Sequence, residues 1–75
     1  MQIHIGHIIR EELHRQGRTN QWLAEQIGVT PRTLQRIYNK PSIDTQLLLR
    51  ISQNLRTDLF LPYSNILSAT TDVVV

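Results

Sequence analysis

The fold is decided by residues 19–40, TNQWLAEQIGVTPRTLQRIYNK. Two short helical patterns meet there across a tight turn, Ile27-Gly28-Val29-Thr30. In the second pattern Arg32, Gln35, Arg36 and Asn39 recur at i, i+3, i+4 and i+7, and at 100° per residue they form one polar stripe. Leu34, Ile37 and Tyr38 fall on the other side. A short helix with an apolar back and a cationic, amide-bearing front suits an acidic, flat-edged partner. The major groove of double-stranded DNA is the partner expected.

The end signals around the stripe are consistent with this reading. Thr19 or Asn20 caps helix 2, about residues 20–27, whose apolar positions are Trp22, Leu23 and Ile27. Ala24 lets a neighbouring helix approach closely. Gly28 follows the last periodic residue, where the chain must take positive φ, and Val29 can plug the corner. Thr30-Pro31 is an N-cap followed by proline at the first helical position, where a missing N–H costs nothing. The recognition helix therefore spans 31–39, and Lys40-Pro41-Ser42 ends it, because a residue before proline is pushed out of the helical region.

Outward from this stretch the chain reads as core. Residues 3–16, IHIGHIIREELHRQ, place Ile5, Ile8, Ile9 and Leu13 at helical spacing. Arg10, Glu11, Glu12 and Arg15 point away from them, with Glu11 and Arg15 as an i,i+4 pair. Gly6 weakens the first turn of this helix, and Gly17 ends it. Ser42 or Asp44 caps helix 4, about 44–55, with Leu47, Leu48, Ile51 and Leu55 inward. Asp58 is expected to cap a short fifth helix beginning at Leu59, which Pro62 at its fourth position makes ragged or 3₁₀-like. Leu59, Phe60 and Leu67 would pack onto the core. The predicted architecture is all-α: a compact five-helix domain over 1–67 and a tail, 68–75. That tail, SATTDVVV, is β-prone, and disorder, strand pairing across a dimer and the stump of a longer protein all fit it.

Composition narrows the function classes. Seventy-five residues support one small core. The absence of cysteine removes disulfides and thiolate metal sites, which favours a reducing, intracellular setting. No basic-then-apolar leader pattern and no apolar run of transmembrane length occur, so a cytoplasmic protein without a membrane role is expected. The formal charge is only +2, but no acidic residue stands between Glu25 and Asp44, where Arg32, Arg36 and Lys40 lie. A local basic face is the footprint of a nucleic-acid binder.

Catalysis is not expected. There is no glycine-rich phosphate loop and no nucleophile elbow, and no cofactor is implied. The histidines, His4, His7 and His14, all lie in helix 1; His4 and His7 are three apart, but no carboxylate stands one turn from both, so they are read as solvated imidazoles rather than metal ligands. Glu11 and Glu12 point about 100° apart and do not form an acid/base pair. Trp22 has two readings, part of the core or a contact for a DNA backbone or partner chain.

With these residues in view, the sequence resembles the helix-turn-helix domains of the Cro and repressor type, the xenobiotic-response-element family of bacterial and phage regulators. The resemblance is carried by LAEQIGVTPRTLQRI, extends across 19–40, and runs loosely over about 60 residues, with SIDTQLLLRISQNL similar to the family's fourth helix. It implies a five-helix, lambda-repressor-like domain with helix 3 as recognition helix, acting as a small transcriptional regulator, a repressor, and binding as a two-fold dimer. By position, Arg32, Thr33 and Arg36, with Gln35 beside them, fall where the family reads base edges. Asn20 and Asn39 match positions that hold phosphates, and Thr19, Thr30 and Lys40 join them as phosphate candidates. The chain departs from the family at three places. Asn20 stands where glutamine is usual, Pro31 where a polar reader is often found, and Lys40 where glycine is usual. An antitoxin or anti-repressor binding a protein partner through the same fold is the alternative. A sensor or toxin would then be that partner.

Overall fold

The described residues form five helices and no strand: α1 (Ile5–Arg15), α2 (Asn20–Ile27), α3 (Pro31–Tyr38), α4 (Thr45–Leu55) and α5 (Leu61–Thr71). They are seen in a computed structural model that describes residues 3–71, and side chains as far as residue 69. One core joins them. Ile5, Ile9 and Leu13 of α1, Leu23 and Ala24 of α2, Leu34 of α3 and Ile51 of α4 are wholly buried. The helical periodicity of the sequence therefore translates directly into packing, and the small Ala24 sits where the helices meet.

The first four helices each begin with a side-chain cap. Thr19 caps α2 by accepting the Trp22 N–H, Thr30 caps α3 by accepting the Thr33 N–H, and Asp44, rather than Ser42, caps α4 by accepting from Gln46 and Leu47. Such caps contribute about 1 kcal/mol each. α1 uses the His4 ring, whose Nδ1 accepts the His7 N–H at 3.2 Å. At the other ends the chain turns left-handed after α1, α2 and α4. The residues involved are Gly17 (φ 70°), Gly28 (φ 73°) and, without a glycine, Arg56 (φ 51°). In each case the following N–H reaches back to a carbonyl of the last turn: Arg18 to Leu13, Val29 to Ala24 and Thr57 to Ser52, at 2.9–3.1 Å.

The junction of α1 with the exit of α3 is unusually close. The Ile5 N–H donates to the Pro41 carbonyl and the Gly6 N–H to the Lys40 carbonyl, both at 3.0 Å. Two donors at the start of α1 thus find acceptors just beyond α3. A Cβ on residue 6 would lie 2.3 Å from the Tyr38 carbonyl oxygen and 2.6 Å from that of Ile37. The sequence reading of Gly6 as a weak point of α1 is therefore incomplete: the missing side chain is what lets the two helices meet.

Other expectations are corrected. Arg15 pairs with Glu12, at i,i+3, and not with Glu11. Glu12 is mostly covered rather than pointing away, its side chain 14% exposed. It accepts from Arg15, Gln16 and Thr57, while Gln16 also donates to the Leu55 carbonyl, so this carboxylate ties α1 to the α4–α5 turn. Asp58 does not cap a helix starting at Leu59. Its side chain accepts the Phe60 N–H within a turn, and α5 begins at Leu61. Pro62 is then the second helical residue, where no N–H is required, so the helix runs on without the predicted break. Leu59 is buried and Phe60 and Tyr63 pack partly on the core, but Leu67 is 62% exposed. The boundary set at 67 falls inside α5: residues 68–71 are helical, and 72–75 lie outside the described residues. No helix among the described residues is long and apolar enough to cross a membrane.

Candidate nucleic-acid interface

α3 owes its orientation to what holds it from behind and at both ends. Leu34, Ile37 and Tyr38 are buried, at 0%, 4% and 3% exposure, so rotation of the helix would expose core. Its start is fixed by the Thr30 cap and Pro31. Its exit is fixed by the two N–H groups of α1 that bond to the carbonyls of residues 40 and 41. The preceding turn is braced from α4, where the Arg50 guanidinium donates to the Ile27 carbonyl at 3.0 Å. A cation at the last carbonyls of α2 is favoured by the helix dipole, and Arg50 is thereby committed to the scaffold.

The outward face carries the stripe. Arg32, Gln35, Arg36, Asn39 and Lys40 are all exposed. Among the described residues none of these five side chains has a hydrogen-bond or ion-pair partner. That contrasts with α1, where the Arg15 guanidinium is held by Glu12. Unpaired guanidinium and amide groups on a rigid helix are donors in want of an acceptor, and Arg and Gln can each contact a base edge in bidentate fashion.

Three of the expected contact residues, Thr33, Thr30 and Thr19, sit at helix starts and make local hydrogen bonds. Thr33 is half-buried, and its hydroxyl oxygen accepts from the Thr30 hydroxyl at 3.1 Å. Its oxygen thus takes part in the start of α3 beside the Thr30 cap. Thr30 spends its hydroxyl on the cap, accepting from the Thr33 N–H and donating to its side chain. Thr19 accepts from the Trp22 N–H at 3.0 Å, and among the described residues no acceptor takes its hydroxyl proton. Thr19 stays exposed at the start of α2 as a possible donor.

Asn20, the first residue of α2, is half-buried, and its Oδ1 accepts from the Tyr38 hydroxyl at 2.8 Å. This bond joins α2 to the last turn of α3 and was not foreseen from the sequence, where Tyr38 counted only as an apolar residue. The clue was the residue type, since a buried tyrosine needs a partner for its hydroxyl. Burial pushes the Tyr38 phenol up to about 12, the positive charge of Arg10 pulling the other way, so the hydroxyl keeps its proton and donates it.

Trp22 packs partly against the core, and the Arg18 guanidinium lies 4.0 Å from its ring centroid. The core reading of this residue fits the packing, with the cation covering one ring face. At the start of α1 the rings of His4, which precedes the helix, and His7 stack, centroids 3.7 Å apart, and the Nδ1 of His4 is engaged as the helix cap. Among the described residues no three His, Asp or Glu side chains are placed to hold a metal ion together.

No protein-family model matches the chain, and no curated protein or solved structure matches it.

Proposed function

We propose that the chain is a sequence-specific double-stranded-DNA-binding domain, in which α2, the Gly28 turn and α3 act as a helix-turn-helix of the lambda-repressor-like kind and α3 enters the major groove. The observation that carries the reading is the unpaired, acid-free face of Arg32, Gln35, Arg36, Asn39 and Lys40 on a helix whose back is buried. Arg32 and Arg36 read base edges, with Gln35 beside them, each good bidentate contact contributing about 1–3 kcal/mol of discrimination. Thr19, Asn20, Asn39 and Lys40 set the register on the phosphates, a salt-sensitive contribution without sequence information. Thr33 and Thr30 drop to a supporting role as the cap of α3. In a cell such a domain acts as a small cytoplasmic regulator, a repressor by occupying its site.

One recognition helix makes few base contacts, so the working form on DNA is a two-fold dimer with half-sites about one helical turn apart. The experiment is selection from random duplexes followed by measurement of the complex's stoichiometry. An enriched palindromic site bound by two chains is expected. A second reading has an observation in its favour: Leu61 and Leu67 of α5 are 49% and 62% exposed, a surface suited to a protein partner such as a toxin or a repressor. A folded chain that binds no duplex at low salt would favour that reading over the first.

A further inference from the structure

We propose that Tyr38 is a positioning residue for the phosphate contact of Asn20, its hydroxyl holding the Asn20 carboxamide with the NH2 group presented to the ligand. The inference rests on the DNA-binding reading above and adds to it a residue that does not itself touch DNA.

A carboxamide oxygen can only accept, whereas a phenol oxygen can donate or accept, so what orients the amide at the 2.8 Å contact between the Tyr38 hydroxyl and Asn20 Oδ1 is the buried hydroxyl proton, which among the described residues has no other acceptor. The oxygen faces Tyr38, and the two N–H donors are left on the other end. Among the described residues they have no acceptor. Tyr38 is 3% exposed and belongs to the buried back of α3, so the hydroxyl is held by packing and cannot follow the amide if it turns. Asn20 is the first residue of α2, beside the exposed Thr19 cap, so its NH2 lies at the end of the helix that favours an anion.

An amide free to rotate by 180° would present its oxygen to a phosphate for part of the time and repel it. Tyr38 disfavours that half of the population, because the reversed amide leaves the buried hydroxyl proton without an acceptor. It also explains why the last turn of α3 carries a tyrosine where a phenylalanine would fill nearly the same space. The side chain packs with its ring and sets the amide with its hydroxyl.

The test is a double-mutant cycle on the full chain, with duplex affinity read by fluorescence anisotropy at low salt and thermal unfolding of each variant measured alongside. Asn20→Ala is expected to weaken binding about three- to tenfold, and Tyr38→Phe about twofold, the loss that halving the binding-competent population brings. Preferred and random duplexes should be affected alike, and the double variant should be no weaker than Asn20→Ala alone. Asn20→Asp keeps an oxygen for the Tyr38 hydroxyl while removing both donors, and is expected to bind more weakly than Asn20→Ala. Unchanged affinity in Tyr38→Phe, independent losses that multiply in the double variant, or wild-type affinity in Asn20→Asp would each overturn the positioning role while leaving DNA binding intact. A wild-type chain that binds no duplex would remove the DNA reading, and the positioning role with it.

Discussion

Gly6→Ala is the substitution for which helix propensity and the packing of this fold give opposite answers. By propensity alone an alanine inside α1 should stabilise the chain by about 0.5–1 kcal/mol. In this structure the new Cβ would sit 2.3 Å from the Tyr38 carbonyl oxygen and 2.6 Å from that of Ile37, against 3.4–4 Å for ordinary contact. Both obstacles are backbone, so α1 must retreat from α3 by roughly 1 Å within a close-packed core. Overpacking of this kind costs about 1–3 kcal/mol. The retreat also stretches the Gly6–Lys40 and Ile5–Pro41 bonds, each contributing about 0.5–1.5 kcal/mol. With the propensity gain subtracted, the net loss is about 2–4 kcal/mol, a large share of the total stability of a domain this size. Thermal unfolding followed by far-ultraviolet circular dichroism should show Tm lowered by on the order of 10–20 °C. An unchanged or raised Tm would refute the close α1–α3 junction and with it the argument that α1 fixes the exit of α3.

The same structure yields further expectations. Glu12 is held down to about 2, chiefly by Arg15 and then Gln16, against an ordinary value of 4.5. Its contribution is therefore fully present above about pH 4.5 and lost as the pH falls toward 2. Urea unfolding across that window should show the wild type losing on the order of 1 kcal/mol that Glu12→Gln does not, the figure kept low by the solvent around Arg15. Arg56 holds a left-handed conformation at φ 51°, so Arg56→Gly should raise stability by about 1 kcal/mol in the same assay, and a loss would argue that its side chain matters more than its backbone. On DNA, Arg36→Ala should flatten the preference at one base position, whereas Lys40→Ala should weaken all duplexes alike and reduce the salt dependence by about one unit of slope. Equal behaviour of the two variants on preferred and random duplexes would remove that division of labour.

What could be read from the sequence was whatever depends on near neighbours in the chain. The bounds of α2, the Thr30-Pro31 start of α3, the Gly28 turn and the split of α3 into a buried and an exposed face all follow from spacing and capping, and the structure has them, with α3 ending at Tyr38 and Asn39 as its C-cap rather than its last helical residue. Long-range pairings were hidden. Gly6 reads as a helix weakness until the carbonyls of residues 37 and 38 are placed beside it. The choice of Glu12 over Glu11 as the partner of Arg15 depends on Gln16 and Thr57 gathering on the same carboxylate from the other side. Counted from Leu59, Pro62 reads as a breaker in α5; the start at Leu61 makes the same proline an ordinary first-turn residue. At the interface, Arg32, Gln35 and Arg36 are visible as a stripe in the sequence, whereas the Thr30–Thr33 hydroxyl pairing and the Tyr38–Asn20 bond require the structure.

The central claim is that α3 and the start of α2 form the surface that meets DNA. Amide NMR of the isotopically labelled chain, titrated with a duplex carrying the selected site, tests it most directly. The account requires the shifts to concentrate at residues 19–22 and 30–40, with the α1 amides near Glu12 and the second half of α5 little changed. Shifts centred on α5, or none in α3 at saturation, would contradict it.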